Sequence, residues 1–389
     1  MEIKAGYKQT EIGVIPEDWD LRFFGEMASV RKQTYDSRKS GAHDFCVELE
    51  HIGQGTGTLL GYSETSMRSS MKRVFNKNDV LFGRLRAYLR KYWLANKPGV
   101  ASSEIWPLVA NPDVTISEYV FQIVQTNDFI DAASETYGTH MPRSDWNIIK
   151  TLRVPVPRTK VEQSAIAEAL SDADKLIASL EKLIAKKKYI KQGAMQVLLP
   201  GKKRLPGFTG EWETTTLGDI AYIGRGRVIS HREINASIFS QYPVYSSQTL
   251  NDGIMGYIDT YDFDGEYITW TTDGVNAGTP FYRKGKFNCT NVCGTIKLKS
   301  DNHQFIAYLL EREMPKYVSR NLANPKLMND VAKRVEIRVP KLINEQATIA
   351  QVLSDMDTEI EELGNKLSKY KLIKQGMMQE LLTGKRRLV

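Results

Sequence analysis

Residues 162–205 read EQSAIAEALSDADKLIASLEKLIAKKKYIKQGAMQVLLPGKKRL, and residues 345–388 read EQATIAQVLSDMDTEIEELGNKLSKYKLIKQGMMQELLTGKRRL. The two stretches agree at 24 of 44 positions without a gap, always at an offset of 183 residues. A repeat at one period indicates an architecture built from copies of one unit. We therefore interpret the chain of 389 residues as two half-molecules in tandem, with pseudo-twofold symmetry and a partner of similar symmetry.

Both copies carry the heptad pattern of a coiled coil, in which apolar residues are spaced alternately four and three positions apart. The seam of the first copy is Ile166, Leu170, Ala173, Ile177, Leu180 and Ile184. The seam of the second copy is Ile349, Leu353, Met356, Ile360, Leu363, Leu367 and Tyr370. The pattern predicts two long helices. We expect Gly193 and Gly376 to weaken them, and Gly201 and Gly384 to end them as C-caps.

Charge is distributed unevenly along each predicted helix. In the first copy, acidic residues lie between positions 162 and 181 and basic residues between 182 and 204, with Lys175 as the exception. In the second copy, most acids lie between 345 and 362 and the bases between 366 and 387. This polarity suits the helix dipole and favours antiparallel pairing, because parallel helices would set like charges together. The alternative is that each helix packs only on its own domain.

A region of mixed character precedes each helix. Each region opens on a tryptophan, Trp19 or Trp212, and closes on a Val-Pro pair at 156–157 or 339–340. Short alternating runs between these landmarks, such as EYITWTT and GTIKLKS, predict strands, because successive strand residues face opposite sides of a sheet. Two further segments, Ser117 to Thr126 and His303 to Tyr317, predict helices.

The chain is therefore predicted to be an α+β protein with four parts. Two mixed α/β domains, 1–158 and 206–341, alternate with two coiled-coil helices, 159–205 and 342–389. Pro142-Arg143 and Pro325-Lys326 also stand 183 residues apart, but elsewhere the two domains diverge. A duplicated scaffold with different loops is typical of a molecule whose halves recognise different things.

Composition narrows the class of protein. The net charge of +7 and the isoelectric point near 9.0 are compatible with nucleic-acid binding. No run approaches the roughly 18 apolar residues of a membrane span, and the start MEIKAGYKQTEIG lacks the apolar core of a signal peptide. We expect a cytoplasmic protein without a membrane partner. The three cysteines, Cys46, Cys289 and Cys293, are interpreted as buried or half-buried thiols, with no metal site.

Several segments resemble the specificity subunit of Type I restriction-modification systems. Both helices carry EQ-x-x-IA-x-x-L-S-D-x-D followed by IKQG-x-MQ-x-LL-x-GK. The opening TEIGVIPEDW and the restart RLPGFTGEW are also similar to that family, as are three internal segments: DVLFGRLRAYLRKYWLA (79–95), YPVYSSQTLNDGIMGYI (242–258) and ITWTTDGVNAGTPFYRKGKF (268–287). The resemblance covers nearly the whole chain in the family's order.

The resemblance implies a fold and a function. It implies two target recognition domains, each reading half of a bipartite site in double-stranded DNA through the major groove. It implies that the two helices form an antiparallel coiled coil, set the spacer between the half-sites and dock two methyltransferase subunits. Restriction and translocase subunits would join the same complex, and the specificity subunit itself would catalyse nothing. Methylation and restriction would both require it.

Direct reading of bases needs hydrogen-bonding side chains on exposed loops, surrounded by phosphate contacts. The candidates in the first domain are Arg31, Lys32, Lys72, Arg73, Arg84, Arg86, Arg90, Lys91 and Arg143. Those in the second domain are Arg225, Arg227, His231, Arg232, Tyr245, Ser246, Gln248, Thr272, Asn276, Lys284, Arg320 and Lys326. The alternative for any one of them is a solvated surface charge.

Motifs of catalysis and cofactor binding are missing from the sequence. It has no Asn/Asp-Pro-Pro-aromatic segment for a flipped base, no GxxxxGK[ST] phosphate loop and no HExxH. The run Gly53-Gln54-Gly55-Thr56-Gly57 is interpreted as a turn. We therefore expect no catalytic residue and no cofactor. The alternative function is a non-catalytic coiled-coil scaffold without sequence-specific DNA binding.

Overall fold

The computed structural model describes residues 3–65, 70–135, 141–319 and 324–388. The chain folds into two compact units. Unit 1 comprises Met1–Leu183 and Gly364–Val389, and unit 2 comprises Ile184–Leu363. Each unit therefore combines a mixed domain with part of both helical repeats. The four domain boundaries drawn from the sequence stay a prediction.

Unit 1 contains short strands and short helices before the first long helix. Its strands are β1 (Tyr7–Thr10), β2 (Gly13–Pro16), β3 (Trp19–Phe23), β4 (Ala28–Val30), β5 (Thr34–Tyr35), β6 (Cys46–Val47), β7 (Lys72–Phe75), β8 (Val80–Gly83), β9 (Tyr92–Leu94), β10 (Gly99–Ala101), β11 (Ile105–Ala110) and β12 (Arg153–Pro157). Its helices are α1 (Phe24–Met27), α2 (Ser37–Ser40), α3 (Ser117–Ile123), α4 (Asn127–Ser134), α5 (Trp146–Ile149) and the start of α6 (Lys160–Leu198).

Unit 2 has longer strands. They are β13 (Trp212–Thr216), β14 (Ala221–Arg225), β15 (Tyr242–Tyr245), β16 (Ile254–Ile258), β17 (Phe263–Thr271), β18 (Pro280–Cys289), β19 (Cys293–Leu298) and β20 (Glu336–Pro340). Its helices are α7 (Leu217–Ile220), α8 (His231–Asn235), α9 (His303–Glu313), α10 (Asn329–Ala332) and the first part of α11 (Ile343–Leu381).

The two units share a strand order although their sequences diverge. In unit 1 one sheet has the order β4-β11-β8-β9, and in unit 2 the sheet begins β14-β19-β17-β18 before adding β15 and β16. All these four-strand pairings are antiparallel. In unit 1 β12 pairs with β3, and in unit 2 β20 pairs with β13. The duplication therefore extends from the helices into both domains, as the sequence landmarks predict.

Each hydrophobic core takes residues from both helical repeats. The core of unit 1 includes Ile166 and Leu170 of α6 together with Leu381 and Leu382 at the end of α11. The core of unit 2 includes Leu198 and Leu199, at the end of α6, together with Ile349 and Leu353 of α11. Full burial of one such side chain contributes about 1.5–3 kcal/mol. The domain of unit 1 is therefore completed by a helix end that is distant in sequence, whereas the helix ends that complete the domain of unit 2 flank it in sequence.

The two helices pair in antiparallel fashion within each unit. In unit 1, Lys374 lies 2.5 Å from Asp174 and Lys371 lies 2.7 Å from Glu181. Position numbers thus fall along α11 as they rise along α6. In unit 2, Lys187 pairs with Glu359 at 2.5 Å and Lys191 with Asp357 at 2.6 Å. The antiparallel coiled coil is confirmed, and the basic and acidic halves meet as their charge pattern predicts.

The predicted seam and helix ends agree with the structure. Every predicted seam residue is buried or half-buried. Helices α6 and α11 continue through Gly193 and Gly376, so these residues do not interrupt them. The helices end at Leu198 and Leu381, three residues before Gly201 and Gly384. These two glycines adopt left-handed backbone angles with φ of 69° and 71°, a conformation that glycine takes at little cost and that commonly ends a helix.

The repeated glutamate at the start of each helix has a structural role. Glu162 is buried and accepts hydrogen bonds from Trp19 Nε1 at 3.2 Å and from Arg387 Nη2 at 2.8 Å. In unit 2 the buried Glu345 carboxylate accepts hydrogen bonds from Arg204 Nε at 2.5 Å and Nη2 at 2.6 Å. Each carboxylate therefore binds an arginine from the other helical repeat.

Candidate nucleic-acid interface

Unit 1 contains a cleft of about 800 Å³ that gathers four of the predicted DNA-binding residues. We call it the basic cleft. The predicted residues that line it are Lys32, Arg73, Arg84 and Arg143. Trp106 and Trp146 form part of its wall, and their rings meet edge to face with centroids 5.8 Å apart. Cationic and aromatic side chains around one cleft can bind phosphate oxygens and base edges.

Two arginines of the basic cleft are held differently. Arg143 is exposed, and its Nε and Nη2 donate to the Glu104 carboxylate at 3.0 and 2.9 Å. This pairing raises the pKa of Arg143 above its ordinary value. The Arg84 guanidinium lies 5.1 Å from the Trp106 ring centroid. Burial lowers the pKa of Arg84, and the nearby cations Arg73 and Arg143 act in the same direction.

The other predicted residues of unit 1 are mostly occupied within the unit. Arg31 donates to both carboxylate oxygens of Asp79 at 2.7 and 2.8 Å. Lys72 is buried and pairs with Glu48 at 2.5 Å. Such contacts satisfy these cations without DNA.

Two more candidates bind the backbone, and one is exposed. Arg90 Nη1 donates to the Gln125 carbonyl at 3.0 Å, and Lys91 Nζ donates to the Leu49 carbonyl at 2.6 Å. Arg86 is exposed in a left-handed conformation with φ of 54°. Arg86 is therefore the candidate outside the basic cleft that remains accessible among these residues.

In unit 2, the loops at one end of the sheet bring together polar candidates. Asn276 Nδ2 donates to Thr249 Oγ1 at 2.9 Å, which joins the loop after β17 to the loop after β15. The Thr272 hydroxyl donates to the Val292 carbonyl at 2.8 Å, and Leu327 N donates to the Thr272 carbonyl at 2.8 Å. We call residues 246–249, 272–279 and 324–328 the reading loops. The predicted residues within them are Ser246, Gln248, Thr272, Asn276 and Lys326.

The basic cleft and the reading loops occupy the same topological position in their units. In unit 1 the segment after β8 bridges to the Pro142-Arg143 turn, with Leu85 opposite Arg143. In unit 2 the segment after β17 bridges to the Pro325-Lys326 turn, with Asp273 opposite Lys326. Strands β8 and β17 are equivalent in the shared strand order. The duplicated scaffold therefore presents different chemistry at one place. In unit 1 it is cations and tryptophans beside Glu135 and Asp145, and in unit 2 it is amides and hydroxyls beside Lys326 and Asp273.

The side chains within the reading loops differ in accessibility. Gln248 and Asn276 are exposed, whereas Ser246 and Lys326 are half-buried. Thr272 is fully buried, and its hydroxyl is used inside the loop cluster. Thr272 therefore supports the loops, and Gln248 and Asn276 are the accessible amides.

Other candidates of unit 2 lie outside the reading loops. Arg227 pairs with Glu233 at 2.6 Å and with Asp262 at 2.9 Å, and these carboxylates raise its pKa. His231 and Arg232 are exposed on α8. Arg320 lies outside the described residues.

Three further candidates of unit 2 lie on strands of its sheet. Arg225 Nη2 lies 3.5 Å from Met328 Sδ, beside the reading loops. Lys284 pairs with Glu266 at 3.2 Å. Tyr245 is half-buried, and burial raises the pKa of its phenol. The Tyr245 ring makes a cation–π contact with the buried guanidinium of Arg283, whose Cζ lies 3.7 Å from the ring centroid.

Sequence reasoning missed several residues that shape these sites. Arg283 is buried and donates to Asp252 Oδ2 at 2.5 Å, which holds the loop after β15 in place. Trp106 and Trp146 line the basic cleft, although nothing in their sequence context marks them as anything but core residues. Val275 is 93% exposed within the reading loops. The sequence did contain one sign of an exposed residue at this place, because a branched apolar side chain stands between Gly274 and Asn276 in a polar loop.

Within the described residues no group of three or more His, Cys, Asp or Glu side chains is placed to hold a metal ion. The three cysteines are buried free thiols, as interpreted from the sequence. No helix in the same residues is long and apolar enough to cross a membrane.

Comparison with known proteins gives one consistent result. The family model described as the Type I restriction modification DNA specificity domain matches residues 16–189 and again residues 209–369. A putative type I specificity subunit of Mycoplasma pneumoniae is 35% identical over 221 residues, which cover 56% of this chain and 79% of that protein.

Two solved structures have similar folds. The S subunit of a Type I restriction-modification system from M. genitalium aligns with a TM-score of 0.66 at 14% identity, covering 98% of each chain. A chain from a study of complex assembly and conformational transition of the type I R-M system aligns with a TM-score of 0.61 at 16% identity. That alignment covers 95% of this chain and 99% of the other.

Proposed function

Because the chain belongs to the Type I restriction modification DNA specificity family, we propose how its two units share the work of a specificity subunit. Unit 1 reads one half of a bipartite DNA site with the basic cleft, and unit 2 reads the other half with the reading loops. The observation that carries this proposal is their equivalent topological position combined with their different chemistry. The isoelectric point near 9.0 supports DNA as the ligand.

A domain exchange tests this division of labour. Replacing residues 206–341 with the matching region of another family member is expected to change one half of the methylated motif and leave the other half intact, because the basic cleft lies wholly in unit 1. The measurement is sequencing of methylated bases in cells that carry the exchanged chain with its methyltransferase subunit. The reciprocal exchange of residues 1–158 is the control. A change in both halves of the motif after either exchange would contradict the proposal.

The helices support the docking of two methyltransferase subunits. Tyr189 in unit 2 is 77% exposed, and Leu372, the equivalent residue in unit 1, is 69% exposed. The following residues, Ile190 and Ile373, are also exposed at 44% and 42%. Large apolar side chains in contiguous exposed positions mark interaction surfaces. An apolar pair at equivalent positions, presented once in each unit, fits two copies of one partner.

Substitutions at these positions are expected to remove the methyltransferase subunits one at a time. Tyr189→Glu should leave a complex with one methyltransferase copy, and the double variant with Leu372→Glu should leave none, because each carboxylate prevents burial of an apolar contact. Native mass spectrometry gives the stoichiometry. Charge changes at the exposed residues Gln192 and Gln375 should weaken assembly in the same way.

The matched control for assembly is Lys366→Glu, a charge reversal at an exposed position of α11 outside the apolar pairs. It should leave two methyltransferase copies bound. A wild-type complex that saturates at one methyltransferase copy would overturn this part of the proposal.

In the proposed function, the restriction and translocase subunits join through the complex of specificity and methyltransferase subunits.

The proposed subunit binds DNA and positions other subunits without catalysing a reaction itself. Catalysis belongs to the methyltransferase and restriction subunits, and the chain acts where DNA is accessible, in the cytoplasm. The runner-up is a coiled-coil scaffold without sequence-specific DNA binding. Binding of the assembled complex to a DNA library separates these two functions, because a scaffold enriches no motif.

A further inference from the structure

The Arg84 backbone, which lines the basic cleft, is held by hydrogen bonds at both its amide and its carbonyl. Its amide donates to the Glu104 carbonyl at 2.9 Å, directly after β8 ends at Gly83. Its carbonyl accepts hydrogen bonds from Ser144 N at 2.8 Å and from Ser144 Oγ at 3.2 Å. These three bonds leave the Cα–Cβ direction little freedom. A side chain that starts from such a position can be aimed before the ligand arrives, which reduces the entropic cost of binding.

The Arg84 side chain is also positioned by its neighbours. Its guanidinium lies over the Trp106 ring with 5.1 Å from Cζ to the ring centroid, and Nη2 donates to the Ser144 carbonyl at 3.4 Å. Its Nε is buried without a hydrogen-bond partner among the described residues. The neighbouring Glu104 carboxylate forms its ion pair with Arg143. Among the described residues Nη1 is neither hydrogen-bonded nor fully buried, so the Nη1–Nη2 end of the guanidinium can accept new partners.

The other arginine of the cleft with a fixed guanidinium offers less. The Nε and Nη2 edge of Arg143 is occupied by Glu104, so reading a base with that edge requires breaking the ion pair. Lys32 presents a single ammonium, which suits a phosphate better than two acceptors at a set spacing. Arginine forks match the O6 and N7 acceptors of guanine in the major groove, and this is the commonest specific contact between a side chain and a base.

We propose that Arg84 is a specificity-determining residue that reads guanine in the half-site of unit 1, with its guanidinium fork on O6 and N7. This inference rests on the function proposed above, because it assigns a base to one side chain of the basic cleft. Burial lowers the pKa of Arg84 while the nearby Glu104 carboxylate opposes this shift, and an acceptor on the guanidinium would stabilise its charged form. The Trp106 ring restricts the space in which the guanidinium can move.

The test compares Arg84→Lys and Arg84→Gln with the wild-type chain, each assembled with its methyltransferase subunit. Binding is measured against duplexes that carry each of the four base pairs at every position of the half-site. Both variants are expected to lose discrimination of about tenfold or more at one G·C pair and to keep the other positions unchanged. Arg84→Lys keeps the charge, so a defect shared by both variants belongs to the fork.

Two controls separate reading from general electrostatic binding. Arg143→Gln lies in the same cleft and removes the charge, so it should weaken binding to all duplexes alike without changing the preferred bases. Arg73 in the same cleft also has a buried Nε without a partner among the described residues, so Arg73→Gln is the closest control, and it should leave the preferred bases unchanged. Binding to phosphate also appears in the salt dependence, whose slope falls by roughly one for each phosphate that a variant no longer neutralises.

Three outcomes are distinguishable. If the wild-type complex selects no motif, the proposed function has failed and not only the role of Arg84. If a motif exists but Arg84→Lys and Arg84→Gln keep every base preference and lose affinity evenly, Arg84 contacts phosphate and the inference is wrong. It is also wrong if a guanine preference disappears in Arg73→Gln but not in the Arg84 variants. Circular dichroism of each complex excludes loss of folding as the cause.

Discussion

Replacing Arg387 with methionine is expected to destabilise unit 1, although unit 1 consists mainly of residues from the other end of the chain. Arg387 donates to Glu162 and also to Asp18, with both Asp18 contacts at 2.9 Å. The Glu162 side chain is 2% exposed. Removing the arginine leaves a buried carboxylate with one hydrogen bond, from Trp19, and such an uncompensated charge costs about 3 kcal/mol or more.

Hydrogen exchange resolved along the sequence measures this effect. In Arg387→Met, protection should fall across residues 1–158 and remain in residues 206–341. Arg204→Met is the matched variant, because Arg204 holds Glu345 in the equivalent place, and it should give the opposite pattern. Adding Glu162→Gln to Arg387→Met should restore part of the protection, since the buried charge is then gone. Equal loss in both regions from either substitution would contradict this assignment.

The long helices could be predicted because their signal is local and repeated. Heptad spacing reports which residues are buried without knowledge of the partner, and all the predicted seam residues are buried or half-buried. The antiparallel direction followed from charge, and Lys374–Asp174 and Lys187–Glu359 are contacts of the predicted kind. The glycines inside the helices do not interrupt them. Pairing and packing along each helix outweigh the roughly 1 kcal/mol cost of one glycine, and Gly193 and Gly376 stay helical.

The candidate site could be predicted only as a list of suitable residue types. Whether a cation is available for DNA depends on a carboxylate that is far away in sequence. Arg31 is paired with Asp79 and Lys72 with Glu48, and these partners meet only once the strands are arranged. The sequence contains all four residues, but it does not show which of them the folded strands bring together. Four basic residues of the cleft were nevertheless among the candidates, because arginine and lysine are common at DNA interfaces.

The exchange of arginines between the two repeats could not be predicted either. Glu162 and Glu345 are equivalent, and so are Arg204 and Arg387. Pairing within one repeat and pairing between repeats would use the same residue types, so the sequence alone does not distinguish them. The antiparallel arrangement decides it, because it brings the end of one helix to the start of the other in each unit.

Lengthening both long helices is expected to lengthen the spacer between the two half-sites. The chain passes from one compact unit to the other inside helices, between Leu183 and Ile184 and between Leu363 and Gly364. Four residues inserted after Leu180 and four inserted after Leu363 add one turn, or about 6 Å, to each helix. A four-residue insertion unwinds a coiled coil locally and leaves its seam continuous. DNA rises roughly 3.4 Å for each base pair, so the spacer should grow by about one to two pairs.

The half-site sequences themselves should not change, because neither the basic cleft nor the reading loops are altered by these insertions. The measurement is the methylated motif of the insertion variant compared with that of the wild type. Four residues inserted between the exposed residues Pro206 and Gly207, outside both helices, form the control and should leave the spacer unchanged. An active helix variant with the original spacer would show that helix length is not the ruler. The distance between half-sites would then be determined by the domains or by the methyltransferase subunits, and the helices would serve assembly alone.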